Sequence, residues 1–407
     1  MRQLDSTGTR LHFDPSGIRH FDTVIINTCG FIGDAKQESV DTILQFAAAK
    51  NSGRVGRLFV MGCLSERYKE QLTKEIPEVD GFYGVNEMEG VVRAAGGRYR
   101  RELLGERRLT TPKHYAYLKI AEGCDRKCSF CAIPGIRGKH LSRPLEEVLE
   151  EAETLAGLGV KELLVISQDT TYYGLDLYGK RKLALLARGL AKIPGIEWIR
   201  IHYAYPRGFP KDILEVMREE EKVCRYVDIP LQHISDRILR SMKRGMNGEK
   251  TRQLIAAIRR TVPGVAIRTT FIAGFPGETE QEFAELKEFV MNSGFERVGV
   301  FTYSPEEGTS AFRQKDDVPE RVKQSRAEEL MALQEQVSLS LNRARIGQPM
   351  KVIIDRKEGD FFVGRTEFDS PEVDNEVLIP AGGNKFAAGR FYNVKITQAD
   401  AFDLYAE

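Results

Sequence analysis

Tyr-Ala-Tyr-Leu-Lys-Ile-Ala-Glu-Gly-Cys-Asp-Arg-Lys-Cys-Ser-Phe-Cys-Ala-Ile-Pro (115–134) runs from a strand-like segment straight into three cysteines. Cys124, Cys128 and Cys131 are spaced C-x3-C-x2-C. Thiolates so spaced can hold three irons of a 4Fe-4S cluster and leave the fourth open, where four protein ligands are usual. An open iron accepts the amino and carboxylate groups of S-adenosylmethionine, so the spacing predicts electron-driven cleavage of that molecule. Zinc is the ordinary alternative for clustered thiols, but structural zinc takes four ligands. No second C-x2-C or His-x3-His pair follows within a finger's length, and the cluster reading is preferred.

Outward from this stretch, the strand-like runs 116–121, 162–167, 198–203, 226–230, 266–272 and 298–302 alternate with helical patterns at 144–156, 182–191, 210–220, 249–260 and 279–292. A serial βα pattern predicts a parallel sheet curled into a partial barrel of six strands, with its chemistry on the loops after the strands. The cysteine triad follows the first of them. Upstream, 22–27 and 57–61 read as strands and 33–48 and 65–75 as helices, a small parallel α/β domain. Cys29 and Cys63 each fall just past a strand's carboxyl end and are expected along one sheet edge. The Arg- and Gly-rich stretch 93–113 (Gly96, Gly97, Arg98, Arg100, Arg101, Arg107, Arg108) reads as a solvated linker ending near Pro112.

Pro319 opens a helix whose Leu330, Leu333, Val337 and Leu341 share a face expected to strap the barrel to the tail. After Gly347, short strands at 350–354, 361–366, 376–379, 392–396 and 402–405 predict a small antiparallel barrel of OB-like type. The fold class is α/β with three domains: 1–104, 105–340 and 341–407.

Composition bounds the partners. Sixty Lys and Arg against 59 Asp and Glu give a formal charge of +1, so no global field draws the chain to nucleic acid or membrane. No apolar run approaches the ~18 residues of a membrane span, and the first residues lack a signal peptide's apolar core, so the expected setting is cytoplasmic. Three of the six cysteines crowd into eight positions, which suits metal binding in a reducing compartment rather than a disulfide scaffold.

Taken together, Asn-Thr-Cys-Gly-Phe-Ile (27–32), Met-Gly-Cys-Leu (61–64), the triad segment, Asp-Ile-Pro-Leu-Gln-His (228–233) and Ile-Ala-Gly-Phe-Pro-Gly-Glu-Thr (272–279) make the chain resemble the methylthiotransferases. These are radical enzymes with an amino-terminal cluster domain, a radical S-adenosylmethionine barrel and a carboxyl-terminal TRAM barrel. The triad's Gly-Cys-Asp-Arg-Lys-Cys-Ser-Phe-Cys form, Ser-Gln-Asp-Thr-Thr-Tyr-Tyr-Gly (167–174) and Ser-Pro-Glu-Glu-Gly-Thr (304–309) look like the RimO-type branch. That branch adds methylthio to the β-carbon of an aspartate in the twelfth protein of the small ribosomal subunit.

The resemblance implies that the cluster on Cys124, Cys128 and Cys131 passes an electron to bound S-adenosylmethionine. The resulting 5′-deoxyadenosyl radical takes hydrogen from the substrate, an unactivated C–H bond being beyond acids and nucleophiles at neutral pH. A second 4Fe-4S cluster supplies sulfur and a second S-adenosylmethionine the methyl. In the family three cysteines hold that second cluster, and this chain shows Cys29 and Cys63 alone, because it begins after the family's first strand and first cysteine. Met1 is expected to be an internal methionine of a longer protein, with a start assigned too late preferred over a truncation or a short protein with an incomplete second cluster.

The resemblance also sets Phe130 near the adenine; loop packing is the alternative. Gly274, Pro276 and Gly277 follow the fifth barrel strand, where either the cofactor approaches backbone closely or a turn opens the next helix. The former is preferred, because the loop lies on the active face. Gln168, Asp169, Asp228, Gln232, His233 and Arg268 end or flank strands and are expected to converge on the mouth, Gln168 and Arg268 as cofactor contacts. His12, His20, His114, His140 and His202 show no ligand spacing, and Cys224 reads as a small buried apolar residue.

In 346–407, eleven Asp and Glu outnumber seven Lys and Arg. An acidic tail suits a basic ribosomal protein and disfavours tRNA phosphates. The rivals are the same chemistry on a tRNA adenosine, disfavoured also by Asp125 where the tRNA branch usually has Asn, and a non-catalytic ribosome-binding protein. The electron donor stays unnamed.

Overall fold

The computed structural model describes residues 4, 8, 10–13, 17, 20–99, 109–383 and 385–407. Two compact units emerge. One comprises Met1–Arg108, Cys131–Lys139 and Glu306–Thr309; the other comprises Leu109–Phe130, His140–Pro305 and Ser310–Glu407. The expected linker arginines Arg100, Arg101, Arg107 and Arg108, and the expected boundary at 104, lie outside the described residues.

In the first unit β1 (Phe21–Thr28), β2 (Val55–Gly62) and β3 (Gly81–Tyr83) form a parallel sheet in that order. The helices Gly33–Asn51 and Cys63–Glu75 follow β1 and β2. Ile43, Leu58 and Val60 are fully buried in its core, each apolar side chain contributing about 1.5–3 kcal/mol. Parallel pairing needs a crossover, and the helix after each strand supplies it.

The second unit carries β4 (Tyr115–Lys119), β5 (Ala121–Glu122), β6 (Leu141–Ser142), β7 (Glu162–Ile166), β8 (Trp198–Ile201), β9 (Tyr226–Asp228), β10 (Ala266–Ala273) and β11 (Arg297–Thr302). Two parallel sheets, β4-β7-β8 and β11-β10-β9, make the six-stranded partial barrel. A bridge between Ile199 and Val223 and the Cys224 amide donating to the Ile199 carbonyl (2.9 Å) join them. Side chains alternate with period two. Leu118, Leu163, Val165, Ile199, Val227, Ile267 and Phe271 pack against helix residues such as Val148, Leu186, Ile213, Ile258 and Leu286 in one core. The alternate set mixes polar residues such as Tyr117, Arg200, Asp228 and Arg268 with apolar ones such as Leu164 and Trp198. β5 and β6 pair antiparallel at the root of the cysteine loop.

Helix ends follow their local chemistry. Thr279 and Glu282 form a capping box at the start of Glu280–Ser293, and Pro319 precedes the 24-residue helix Glu320–Arg343. That helix ties barrel to tail as expected, but by another face. Lys323, Arg326, Ala327, Leu330, Gln334, Ser338 and Asn342 are the buried residues, whereas Leu333, Val337 and Leu341 are half-buried. The reason is hydrogen bonding: Gln334 donates to the Phe295 carbonyl (2.9 Å), Ser338 to that of Ala401 (2.6 Å) and Asn342 to that of Asp400 (3.0 Å). Backbone carbonyls buried under a helix need donors that leucines lack.

The tail barrel closes in the order β12 (Pro349–Glu358), β13 (Phe361–Thr366), β14 (Glu376–Pro380), β16 (Asp403–Ala406) and β15 (Phe391–Ala399). Its strands lie where expected, with one departure from an all-antiparallel barrel: β14 and β16 pair parallel. Among the described residues no helix is long and apolar enough to cross a membrane.

Candidate active site

The cysteine loop leaves β5 with Gly123 at φ +77, a left-handed turn that glycine adopts without strain. Cys124 is buried, and its sulfur accepts from the Arg126 amide (3.4 Å). Burial pushes its thiol up to about 11, the Arg126 amide opposing. Cys128 is half-buried; its sulfur accepts from Arg244 Nη1 (3.2 Å) and lies 3.5 Å from the Tyr205 hydroxyl. The Ser129 amide donates to the Met242 carbonyl (3.0 Å) and its carbonyl accepts from the Ala311 amide (2.7 Å), so the loop is pinned from both sides. Phe130 is half-buried against Ile238, Met242, Ile272, Phe275 and Tyr303. Cys131 opens the segment that groups with the first unit.

Around this loop the barrel's carboxyl ends carry polar atoms without partners. Arg126 Nη2, Ser129 Oγ, Gln168 Oε1, Gln232 Oε1 and Arg244 Nε are buried and unbonded. Such atoms cost about 1–3 kcal/mol each unless something satisfies them. Gln168 is oriented by its amide donating to Glu122 (3.1 Å), Arg126 by Asp169 (2.7 Å). Tyr205 is stacked by two guanidiniums, with Arg126 4.1 Å and Arg244 4.3 Å from its ring centre. Among the described residues no three His, Cys, Asp or Glu side chains are gathered into a metal-holding group. The fit to a cluster and a zwitterionic cofactor therefore rests on the donor set, soft thiolates with no carboxylate among them, and on these orphaned atoms.

Other expected site residues fall elsewhere. Arg268 is the third residue of β10, well short of its carboxyl end, and its guanidinium pairs with Asp228 (3.3 Å) and Asp374 (3.2 Å). Asp228 is fully buried, also accepting from the Tyr203 amide (3.1 Å). Burial opposes its charge, but His202 and Arg268 hold its carboxyl below the usual range. Gly274 follows β10 at φ +73, and a Cβ there would come within 2.2 Å of Lys323 Cγ. The close neighbour that this glycine accommodates is thus a lysine stem. His233 is buried with its Nδ1 accepting from the Ser235 amide (3.0 Å). Cys224 is buried beside Trp198 and Ile353, as expected, and burial pushes its thiol up to about 12.

In the first unit the expected juxtaposition of Cys29 and Cys63 holds. Thr28 and Gly62 are register partners, so the cysteines leave adjacent strand ends. A Cβ on Gly30 would come within 2.5 Å of the Leu64 amide nitrogen, and one on Gly62 within 2.5 Å of the Thr28 carbonyl oxygen. Only glycines let the two loops touch. Cys29 is exposed; Cys63 is buried and accepts from Arg137 Nη2 (3.2 Å). Glu306, buried, is gripped by Lys36 (2.9 Å) and Arg67 (3.0 Å), and Arg67 also donates to the Gly30 carbonyl (2.7 Å).

The barrel's amino-terminal end is built differently. Glu162, fully buried, takes Arg200 Nε on one oxygen (2.9 Å) and Arg365 on the other (2.8 Å). Arg365 continues to Asp355 (2.6 Å), which also meets His114 (2.7 Å). Asp355 stands at a bulge of β12, the device that re-aims a strand side chain. Arg297 pairs with Asp369, and Trp198 packs edge-on against Phe391 at 4.8 Å. The tail's acidic sum is distributed unevenly in space. Asp355, Asp369 and Asp374 are engaged by the barrel's own cations or by Arg365. Exposed on the tail are Lys351, Arg356, Lys357, Lys385, Arg390 and Lys395 against Glu358, Asp360, Glu372, Asp400 and Glu407, a nearly balanced surface.

Arg126, Tyr205 and Arg244 were not singled out by the sequence. Arg126 was discoverable inside the cysteine loop; Tyr205 and Arg244 carry no motif. Residues 118–290 match the radical SAM superfamily, 346–407 the TRAM domain and 1–84 the uncharacterized protein family UPF0004. The ribosomal protein uS12 methylthiotransferase RimO of Flavobacterium johnsoniae is 57% identical over 407 residues, covering 100% of this chain and 93% of its own. The protein of the same name from Bacteroides thetaiotaomicron is 55% identical over 411 residues with the same coverage. The radical S-adenosylmethionine methyltransferase TsrM from Kitasatospora setae shares the fold, with a TM-score of 0.53 at 15% identity over 70% of this chain and 64% of that one.

Proposed function

This chain belongs to the RimO-type ribosomal protein uS12 methylthiotransferases, and from that premise we propose that it transfers a methylthio group to the β-carbon of an aspartyl residue of that ribosomal protein. It is a radical SAM enzyme that uses a 4Fe-4S cluster and S-adenosylmethionine. The observation that carries the reading is identity above half along the whole chain to proteins of that one name. A ribosomal substrate supports a cytoplasmic setting.

By their spacing, Cys124, Cys128 and Cys131 would supply the ligands of the cluster that binds the sulfonium cofactor, and by the family resemblance Cys29 and Cys63 would supply two ligands of a second, sulfur-donating cluster. The bound cofactor provides the radical chemistry that no side chain can. The chain's own residues bind and orient. Gln168, held by Glu122, offers its buried carbonyl to the cofactor's ammonium, and Phe130 offers the remaining face of its ring to the adenine. Gly274 contributes backbone at the mouth, and Arg268 lies deeper, held by Asp228 and Asp374. The pinned Ser129 backbone holds the loop in place. The limits 1–104, 105–340 and 341–407 serve as the working domain boundaries.

Deleting the gene and weighing the ribosomal protein by mass spectrometry tests the function. Loss of the methylthio group from that protein is expected; an unaltered protein with a lost tRNA modification overturns the proposal. Anaerobic iron counting tests the cofactor reading, with about eight irons per chain for two clusters and about four for one.

A further inference from the structure

Arg244 is 5% exposed, in the loop between the helices Asp236–Ser241 and Gly248–Thr261. A buried guanidinium is ordinarily paired with a carboxylate. Among the described residues none pairs with Arg244: Nη1 donates to Cys128 Sγ (3.2 Å), Nη2 to the Pro230 carbonyl (2.5 Å), and Nε is unbonded. The loop is stiffly held, with Lys243 at φ +56 and Gly245 at φ +68, and the Met242 carbonyl accepts from the Ser129 amide of the cysteine loop. The cation is therefore buried, fixed and lacking a counter-ion, and its one sulfur contact is a proposed cluster ligand. Arg126 stacks on the same Tyr205 ring, but Asp169 neutralises it at 2.7 Å.

We propose that Arg244 is a positioning residue for the cluster on Cys128, acting as its fixed counter-cation and raising its reduction potential. The proposal rests on the assignment of Cys124, Cys128 and Cys131 as cluster ligands. One-electron reduction adds one negative charge to the cluster and takes up no proton, so a positive charge held against a ligating sulfur favours the reduced form. That form is the one the reaction needs, and Arg244 makes it accessible to a weaker donor.

The test is a dithionite titration followed by electron paramagnetic resonance, in full-length protein carrying Cys29→Ala and Cys63→Ala so that one cluster remains. Arg244→Gln and Arg244→Met, two neutral replacements, are each expected to shift the oxidised-to-reduced ratio at a given potential at least about tenfold toward the oxidised form, ~59 mV for a one-electron couple. Arg244→Lys recovers more than half of that shift, and Arg126→Gln, whose charge is already compensated, produces a smaller one. Having two neutral variants keeps the test alive if one fails to fold. A parent with no cluster signal overturns the ligand assignment itself. A parent with a signal whose potential does not move in any Arg244 variant overturns the proposal and leaves the ligands standing.

Discussion

Glu162, where β7 begins, is fully buried and gripped by two guanidiniums, whereas Arg244, near the opposite end of the barrel, is almost as buried and meets no carboxylate. At one end of the barrel the buried charges are paired without any ligand: Arg200, Glu162, Arg365, Asp355 and His114 run as a continuous chain into the tail barrel. The other end leaves Arg126, Ser129, Gln168, Gln232 and Arg244 each with an unsatisfied buried atom. The difference teaches that buried charges paired within the chain mark scaffold, whereas a buried cation left without a carboxylate marks chemistry. Unsatisfied groups persist where a ligand is to satisfy them.

The comparison breaks most visibly at the sulfur. Cys128→Ala is expected to abolish methylthio transfer and to lower the iron content by about four atoms per chain, counted after anaerobic reconstitution. At the paired end, Arg365→Met should leave iron content per folded chain unchanged while destabilising the protein by about 3–5 kcal/mol, because it buries no replacement charge and takes one of two cationic partners from each of the buried Glu162 and Asp355. Denaturant unfolding measures this, and a loss below about 1 kcal/mol would remove the distinction between the ends.

Acid sharpens it. Burial opposes the charges of Glu162, Asp355 and Asp369, but their cationic partners hold all three carboxyls below the usual range in the folded protein. A depressed folded-state value means stability present above the unfolded value and lost as pH falls through the folded one. The unfolding free energy should hold from neutrality to about pH 5 and fall below about pH 4; Asp369→Asn should make that fall shallower. At the open end, Gln168→Ala removes an unsatisfied acceptor, so ligand-free stability should change by less than about 1 kcal/mol, while S-adenosylmethionine binding, followed by calorimetry, should weaken about tenfold. Smallest of all, Lys351→Ala breaks an exposed pair with Glu197 and should cost under about 0.5 kcal/mol in thermal unfolding.

Much of this architecture was legible from residues alone. Strand-like runs alternating with helical patterns located every barrel strand, because a parallel strand must be followed by a crossover that packs back onto it. Cys29 and Cys63, each just past a strand-like run, announced the sheet edge of the first unit. What escaped had a physical reason in each case. The buried face of the helix Glu320–Arg343 runs through Gln334, Ser338 and Asn342, which apolar periodicity cannot reveal. The tail's acidic excess was real in sum but misleading in space, since its carboxylates face arginines far away in the chain. Tyr205 and Arg244 matter through a tertiary contact with Cys128 that no local pattern encodes.

The amino-terminal unit is not a contiguous piece of polypeptide: residues 131–139 and 306–309 complete it from within the later sequence. Arg137 comes from the first of these pieces to reach Cys63, and Glu306 from the second to hold Lys36 and Arg67. Excising 1–108 as a cassette would thus strip a sulfur of its hydrogen-bond donor and leave two cations without their shared anion. A lineage that swapped this module between proteins would have to carry both distant patches along with it.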